Sequence, residues 1–217
     1  MPVCSTNGIQ KPTALCIKLP LTAVHKIMKN RLRTFIAISL SSSVLAGIEK
    51  TVRTLHTHFW DVRWVEPKNM HVTLKFLGDI PLNDLPPLIH TVTQCTCNTD
   101  SFDLTFRGLG AFPNMESPKT IWIGIREGSK ELSQLAESID RGLWSLGFPK
   151  EARRFSPHLT IGRIKKSVQE SPLMSLLDEE QDNLFGSCSV SEVQIFSSEL
   201  TRRGAIYDEL AAIPLRN

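Results

Sequence analysis

Met70-His71-Val72-Thr73-Leu74-Lys75-Phe76-Leu77-Gly78 and Pro157-His158-Leu159-Thr160-Ile161-Gly162-Arg163 carry one pattern: a histidine, an aliphatic residue, a threonine and a second aliphatic residue. In an extended strand successive side chains point to opposite faces. His71, Thr73 and Lys75 then share one face, and Val72, Leu74 and Phe76 take the other. His158 and Thr160 share a face above Leu159 and Ile161 in the same way. Two such arms set against each other put two imidazoles and two hydroxyls around one pocket.

Around the first arm, residues 34 to 40 read as a strand, and Ser41 to Ser43 offer N-caps for a helix through Val44, Leu45, Ile48, Val52 and Leu55. Residues 61 to 65 form a short strand, and Glu66-Pro67-Lys68-Asn69 is a turn with proline fixing its geometry. Gly78-Asp79 closes the first arm. Residues 82 to 97 have Leu82, Leu85, Ile89 and Val92 on one side, a helix only if Pro86 and Pro87 lie in its first turn. Strands follow at residues 102 to 106 and 120 to 125. Residues 131 to 146 make the clearest helix, with Leu132, Leu135, Ile139, Leu143 and Leu146 at helical spacing and Gly147 as its stop.

Beyond the second arm, residues 167 to 181 suggest a short helix or a loop, residues 189 to 196 alternate as a single strand, and residues 204 to 210 give a last one. Strand, helix, strand, strand, helix recurs in both halves. The expectation is an α+β protein whose halves are rough structural duplicates.

Composition bounds the function. The chain of 217 residues is long enough for one large domain or two lobes, and its apolar and charged fractions of 41% and 22% are those of a water-soluble globular protein. Five cysteines, odd in number and irregularly spaced, argue against a disulfide framework and for a reducing compartment, here the cytoplasm. No run approaches the length of a membrane span. Residues 1 to 32 carry five basic residues and no acid, a balance of +5 out of a total of +3, which leaves the remainder at −2. Phosphate recognition must therefore be local, not a property of the whole surface. Prolines interrupt every apolar stretch of residues 1 to 32; the acid-free basic segment could be a transit peptide and Ala14 to Val24 a signal core broken by Lys18 and Pro20, but the favoured reading is a disordered N-terminal extension, with Met28 as the true start, ahead of one domain over residues 33 to 217.

Two imidazoles suit a reaction in which one proton leaves a nucleophile while another reaches a leaving group, because a pKa near 6.5 lets one ring be neutral and the other charged. Threonine hydroxyls can donate to an anion held between the rings. Phosphate esters fit this equipment. Carboxyl esters fit less well, since no nucleophile elbow or activated serine or cysteine is present. His25, His56, His58 and His90 read as surface or structural residues. His56-Thr57-His58 lacks a third ligand, so no metal site is expected. Phe76 reads equally as core or as a stacking platform, and Lys75, Arg153 and Arg154 as solvated charges or a wider phosphate field. Tyr207 packs its ring and leaves its hydroxyl to a polar partner.

The two arms, together with Phe35-Ile36-Ala37-Ile38, Arg63-Trp64-Val65, Phe155-Ser156-Pro157 and Gly204-Ala205-Ile206-Tyr207-Asp208-Glu209-Leu210, resemble the two-histidine (2H) phosphoesterases, and within them the RNA 2′,3′-cyclic phosphodiesterases, also called 2′-5′ RNA ligases. The resemblance runs from about Arg33 to Leu215. It implies a bilobal fold of two antiparallel sheets around a central cleft with helices outside, and hydrolysis of RNA 2′,3′-cyclic phosphate ends without metal or other cofactor. By it, His158 is the general base and His71 the general acid, Thr73 and Thr160 hold the non-bridging oxygens, Arg163 neutralises phosphate charge, and Phe76 stacks on the terminal base. A monomer acting on RNA or oligonucleotide ends is expected. The alternatives are a nucleotide-binding module with little turnover, reversible 2′-5′ ligation, or hydrolysis of a nucleotide-sugar cyclic phosphate.

Strict alternation conflicts with part of this. Phe76 and Arg163 each lie five residues beyond their histidine, on the face opposite the imidazoles. A bulge must bring them round; Gly162 can supply one beside Arg163, and nothing in the sequence marks one before Phe76.

Overall fold

The computed structural model describes residues 30–58, 61–115, 117–165, 177, 179–202 and 204–216. The readings of residues 1 to 29, and of most of 167 to 181, fall outside these. In chain order the elements are β1 (Arg31–Ser39), α1 (Ser42–His58), β2 (Val62–Trp64), β3 (His71–Pro81), α2 (Leu85–Thr96), β4 (Phe102–Phe112), β5 (Thr120–Ile125), α3 (Ser129–Trp144), β6 (His158–Ile164), β7 (Leu184–Val190), β8 (Glu192–Thr201) and β9 (Gly204–Pro214). β1 starts two residues inside the segment read as an extension, and Leu32 is already core.

Two sheets result, one in the order β3-β1-β8-β9 and one in the order β2-β6-β5-β4-β7, with every strand pair antiparallel. They do not follow the two halves of the sequence. β2, from the first half, is an edge of the second sheet, while β8 and β9, from the end of the chain, complete the first. The first sheet curls: Asn69, just before β3, donates its Nδ2 to the Ala205 carbonyl of β9 at 3.0 Å, although two strands separate β3 from β9 in the sheet.

The helices cover the outer faces. In α1 the Ser41 Oγ accepts from the Val44 amide at 3.4 Å, and Val44, Ile48, Val52 and Leu55 form one buried stripe. That stripe packs on β7, and Gly47 makes the approach possible: a Cβ there would lie 2.5 Å from the Phe185 carbonyl oxygen. α2 and α3 pack on each other behind the first sheet, touching β9 and β3 respectively. The two prolines of α2 occupy its first turn, where no helical amide is lost.

Three strand readings need correction. Residues 189 to 196 are parts of two strands in different sheets. Val190 and Val193 are both buried, so the alternation breaks at Ser191, where the chain crosses between sheets and its carbonyl accepts from the Leu215 amide at 2.8 Å. β3 runs past Gly78, which takes φ +72° and lets the strand continue to Pro81. β4 runs to Phe112 past Gly108, whose φ of +78° accommodates an irregularity in its pairing with β5.

Candidate active site

Each histidine opens its strand and is held by the turn before it. The short helical turn Pro67–Asn69 leads through buried Met70 into His71, whose Nδ1 lies 2.8 Å from the Asn69 carbonyl oxygen. His158 repeats the arrangement, its Nδ1 2.7 Å from the Ser156 carbonyl oxygen. A carbonyl can only accept, so Nδ1 carries the hydrogen in both rings. Nε2 is then the nitrogen free to exchange a proton.

Behind the rings Val72, Leu159 and Ile161 are fully buried, each contributing about 2 kcal/mol relative to exposure. The burial sequence from His71 to Phe76 is the same as that from His158 to Arg163, with Leu74 and Lys75, and Ile161 and Gly162, as consecutive buried residues. Strand pairing shows why. Ile36 faces Lys75 and Ala37 faces Thr73, so Leu74 is skipped; Ile121 faces Gly162 and Trp122 faces Thr160, so Ile161 is skipped. Both arms carry a β-bulge at the same place, and everything beyond it changes face.

The bulges settle the conflict over Phe76 and Arg163, and they do so in both arms, not beside Gly162 alone. Phe76 is 64% exposed, with its ring 6.1 Å from Phe35, which lies 4.7 Å from the His71 ring. Arg163 acts electrostatically on both His158 and Tyr207. The same bulge overturns the reading of Lys75 as a residue of the imidazole face. It is 3% exposed and points away from the cleft, its Nζ 2.5 Å from Asp140 Oδ1 and 2.8 Å from the Pro149 carbonyl oxygen, with Glu151 Oε1 at 3.8 Å.

β3 and β6 approach each other across the cleft, and Tyr207 connects their surroundings, its ring 5.2 Å from His71 and its phenol within the field of Arg163. Thr73 and Thr160 are half-buried on the imidazole faces, with no hydrogen-bond partner among the described residues. Of the predicted residues, His71, Thr73 and Phe76 therefore lie on one face of β3, and His158, Thr160 and Arg163 on one face of β6.

Each imidazole sits among aromatic rings. Phe35 and Tyr207 flank His71, and Phe196 stacks on Phe35 at 5.4 Å. The ring of Phe112 stands perpendicular to that of His158 at 4.9 Å, and Trp122 lies 5.2 Å from Phe112. Trp122 covers Gly110, where a Cβ would come within 2.3 Å of the indole. Burial is the largest influence on both pKa values. It lowers His71 to about 4 against the opposing Asn69 contact, and it lowers His158, with the Ser156 contact opposing and the Arg163 charge adding to the fall. These aromatic neighbours were not singled out as site residues in the sequence. The alternation of Thr120, Trp122 and Gly124 against Ile121, Ile123 and Ile125 is the signal that marks Trp122 as facing away from the core.

Among the described residues no group of three or more histidine, cysteine, aspartate or glutamate side chains is placed to hold a metal ion, and no helix is long and apolar enough to cross a membrane. The sequence pattern of the 2′-5′ RNA ligase superfamily matches residues 45–202. A protein of Methanothermobacter thermautotrophicus named RNA 2′,3′-cyclic phosphodiesterase is 34% identical over 185 residues, covering 85% of this chain and all of its own. The protein of that name from Aquifex aeolicus is 34% identical, with 81% and 93% covered. A crystal structure of a Thermus thermophilus protein superposes with a TM-score of 0.73 at 26% identity over 86% of this chain and 99% of its own. Escherichia coli LigT complexed with 3′-AMP shares the fold, with a TM-score of 0.69 at 24% identity and the same two coverages. With the paired bulged strands, the cleft between antiparallel sheets and these likenesses together, the chain belongs to the 2′-5′ RNA ligase superfamily.

Proposed function

We propose that this protein hydrolyses the 2′,3′-cyclic phosphate at RNA ends to a 2′-phosphomonoester by paired histidine acid and base catalysis, with no metal. The reading is carried by the duplicated arm: two imidazoles at equivalent positions of two neighbouring strands, each with Nδ1 held by the carbonyl two residues upstream. His158 Nε2 takes a proton from water as the water oxygen bonds to phosphorus. The bond from phosphorus to O3′ breaks, and protonated His71 gives its Nε2 proton to O3′. The sugar keeps the phosphate on O2′ and regains a 3′-hydroxyl.

Thr73 and Thr160 donate to the non-bridging oxygens, and Arg163 balances the developing charge. Neither hydroxyl has a hydrogen-bond partner among the described residues, and both lie on the imidazole faces. The kinship with proteins named RNA 2′,3′-cyclic phosphodiesterase supports the substrate class. The superfamily's name favours a second use of the same chemistry: with a ribose 5′-hydroxyl in place of water, the same two proton transfers make a 2′-5′ linkage. The test is incubation with adenosine 2′,3′-cyclic phosphate in excess chelator, with products resolved by phosphorus NMR. The expected product is the 2′-monophosphate alone. Formation of the 3′-monophosphate, or loss of turnover on chelation, overturns the proposal.

Phe76 is exposed enough to stack on a base and contributes little to the fold. Phe76→Ala is expected to raise KM about tenfold and leave kcat within about twofold, as base stacking is lost from substrate and transition state alike. Steady-state kinetics on the same nucleotide measure the split.

A further inference from the structure

Three arginines lie around the first residues of β9: Arg33 and Arg163 near Tyr207, and Arg63 near Gly204. Arg63 stands directly across from Arg163 in the β2–β6 pairing, and directly opposed residues project to the same face, so both reach the imidazole side of the second sheet. Arg63 crosses toward the other lobe: a side chain on Gly204 of β9 would begin 3.6 Å from its Nη2. Gly204 is next to Ala205, which receives the Asn69 amide, and three residues before Tyr207, whose ring touches that of His71. Arg33 arrives from β1, two residues before Phe35 and on its face. The pairings of Thr34 with Ser197 and of Ser198 with Tyr207 bring it to the strand position level with Tyr207. The Tyr207 phenol lies within the fields of both Arg33 and Arg163.

None of the three guanidinium groups has an acidic partner within ion-pair distance among the described residues, and Glu209, on the Tyr207 face of β9, forms no ion pair with them. A few cations elsewhere are paired, as Lys75 with Asp140, Lys68 with Glu66 and Arg216 with Asp100, and other surface cations among the described residues stand singly. The residues beyond 32 carry a net charge of −2. Three unpaired cations in one place thus mark a site for anions larger than a single charge. A cyclic phosphate is a monoanion, and Arg163 suffices for it. The nearest other anionic group that an RNA end brings is the phosphodiester joining its last nucleotide to the one before.

We propose that Arg33, level with Tyr207, and Arg63, beside Gly204, form a subsite for the phosphodiester on the 5′ side of the terminal nucleotide, so that the cleft selects oligonucleotide ends over mononucleotides. The inference rests on the cyclic phosphodiesterase reading and names its substrate class. Both arginines are exposed, so their replacement leaves the core intact.

The experiment compares kcat/KM for two dinucleotides ending in a 2′,3′-cyclic phosphate, one with the natural charged linkage and one with a neutral methylphosphonate linkage. The expected result is a preference for the charged linkage of about tenfold in the wild-type protein, the scale of one charge-assisted contact. Arg33→Gln and Arg63→Gln each bring that ratio toward one, and Arg126→Gln, at the end of β5 away from Arg163, keeps it. A wild-type ratio near one with good turnover of both dinucleotides overturns the subsite and leaves the catalytic reading standing. So does a preference that neither Arg33→Gln nor Arg63→Gln reduces. Failure to turn over all three compounds, both dinucleotides and the mononucleotide, overturns both.

Discussion

His71→Ala and His158→Ala are each expected to slow hydrolysis of a nucleoside 2′,3′-cyclic phosphate by about a thousandfold, within the range that a positioned proton donor or acceptor supplies. The two effects should not multiply. Once either proton transfer fails, the reaction must proceed by a route that gains little from the remaining ring, so the double variant is expected within about tenfold of the worse single one. Substrate affinity should change far less, because in the proposed complex the threonines, Arg163 and Phe76 hold the nucleotide independently of the imidazoles. Single-turnover rates at saturating substrate, with circular dichroism to show an intact fold, make the comparison. A loss of less than tenfold in either single variant would remove that histidine from the chemistry.

The second large effect lies behind the cleft. Asp140→Ala leaves the Lys75 ammonium with side-chain exposure of 2% and without its nearest counter-charge, and removing one partner of a buried pair costs about 3 kcal/mol. Glu151 at 3.8 Å and the Pro149 carbonyl remain, which holds the cost at the lower end of the range. The corresponding fall in Tm is roughly 9 °C for a domain of this size. Lys75→Met is expected to cost much less, because an apolar side chain of similar length takes the ammonium's place and Asp140, partly exposed, still receives the Glu151 amide at 3.2 Å. Thermal unfolding of the two variants gives the order; a Lys75→Met variant as unstable as Asp140→Ala would contradict it. Lys75 ties β3, which bears His71, to Pro149 and Glu151 on the path into β6, which bears His158.

Residue types and their local spacing are legible in the sequence more readily than the geometry, for a physical reason. Histidine, threonine and their aliphatic neighbours report local alternation, and helices report their own stripes, as Leu132, Leu135, Ile139 and Leu143 do in α3. A bulge belongs to a pair of strands. Leu74 is skipped because Ala37 faces Thr73 while Ile36 faces Lys75, and nothing in the first arm alone encodes that mismatch. Hence Phe76 was placed on the wrong face by strict alternation and Lys75 on the imidazole side. Sheet membership is equally non-local. Residues 189 to 196 alternate well enough to pass for one strand, and only the partners of Val190 and Val193, in different sheets, separate β7 from β8. The aromatic surroundings of the histidines come from β1, β4, β5, β8 and β9, brought together only by folding.

The pH dependence of turnover in chelator tests the paired-histidine claim most directly. The active form needs His158 neutral and His71 protonated, and burial lowers both rings in the free protein, His71 to about 4. kcat/KM reports the free protein, so its maximum is expected on the acid side of pH 6.5, with both limbs belonging to the coupled pair. A bound phosphate anion favours the charged imidazole and raises both values, which moves the kcat maximum to higher pH. Two bell-shaped profiles, with kcat/KM peaking at the lower pH, are the predicted result; profiles flat from pH 5 to 9 under chemistry-limited conditions would contradict it.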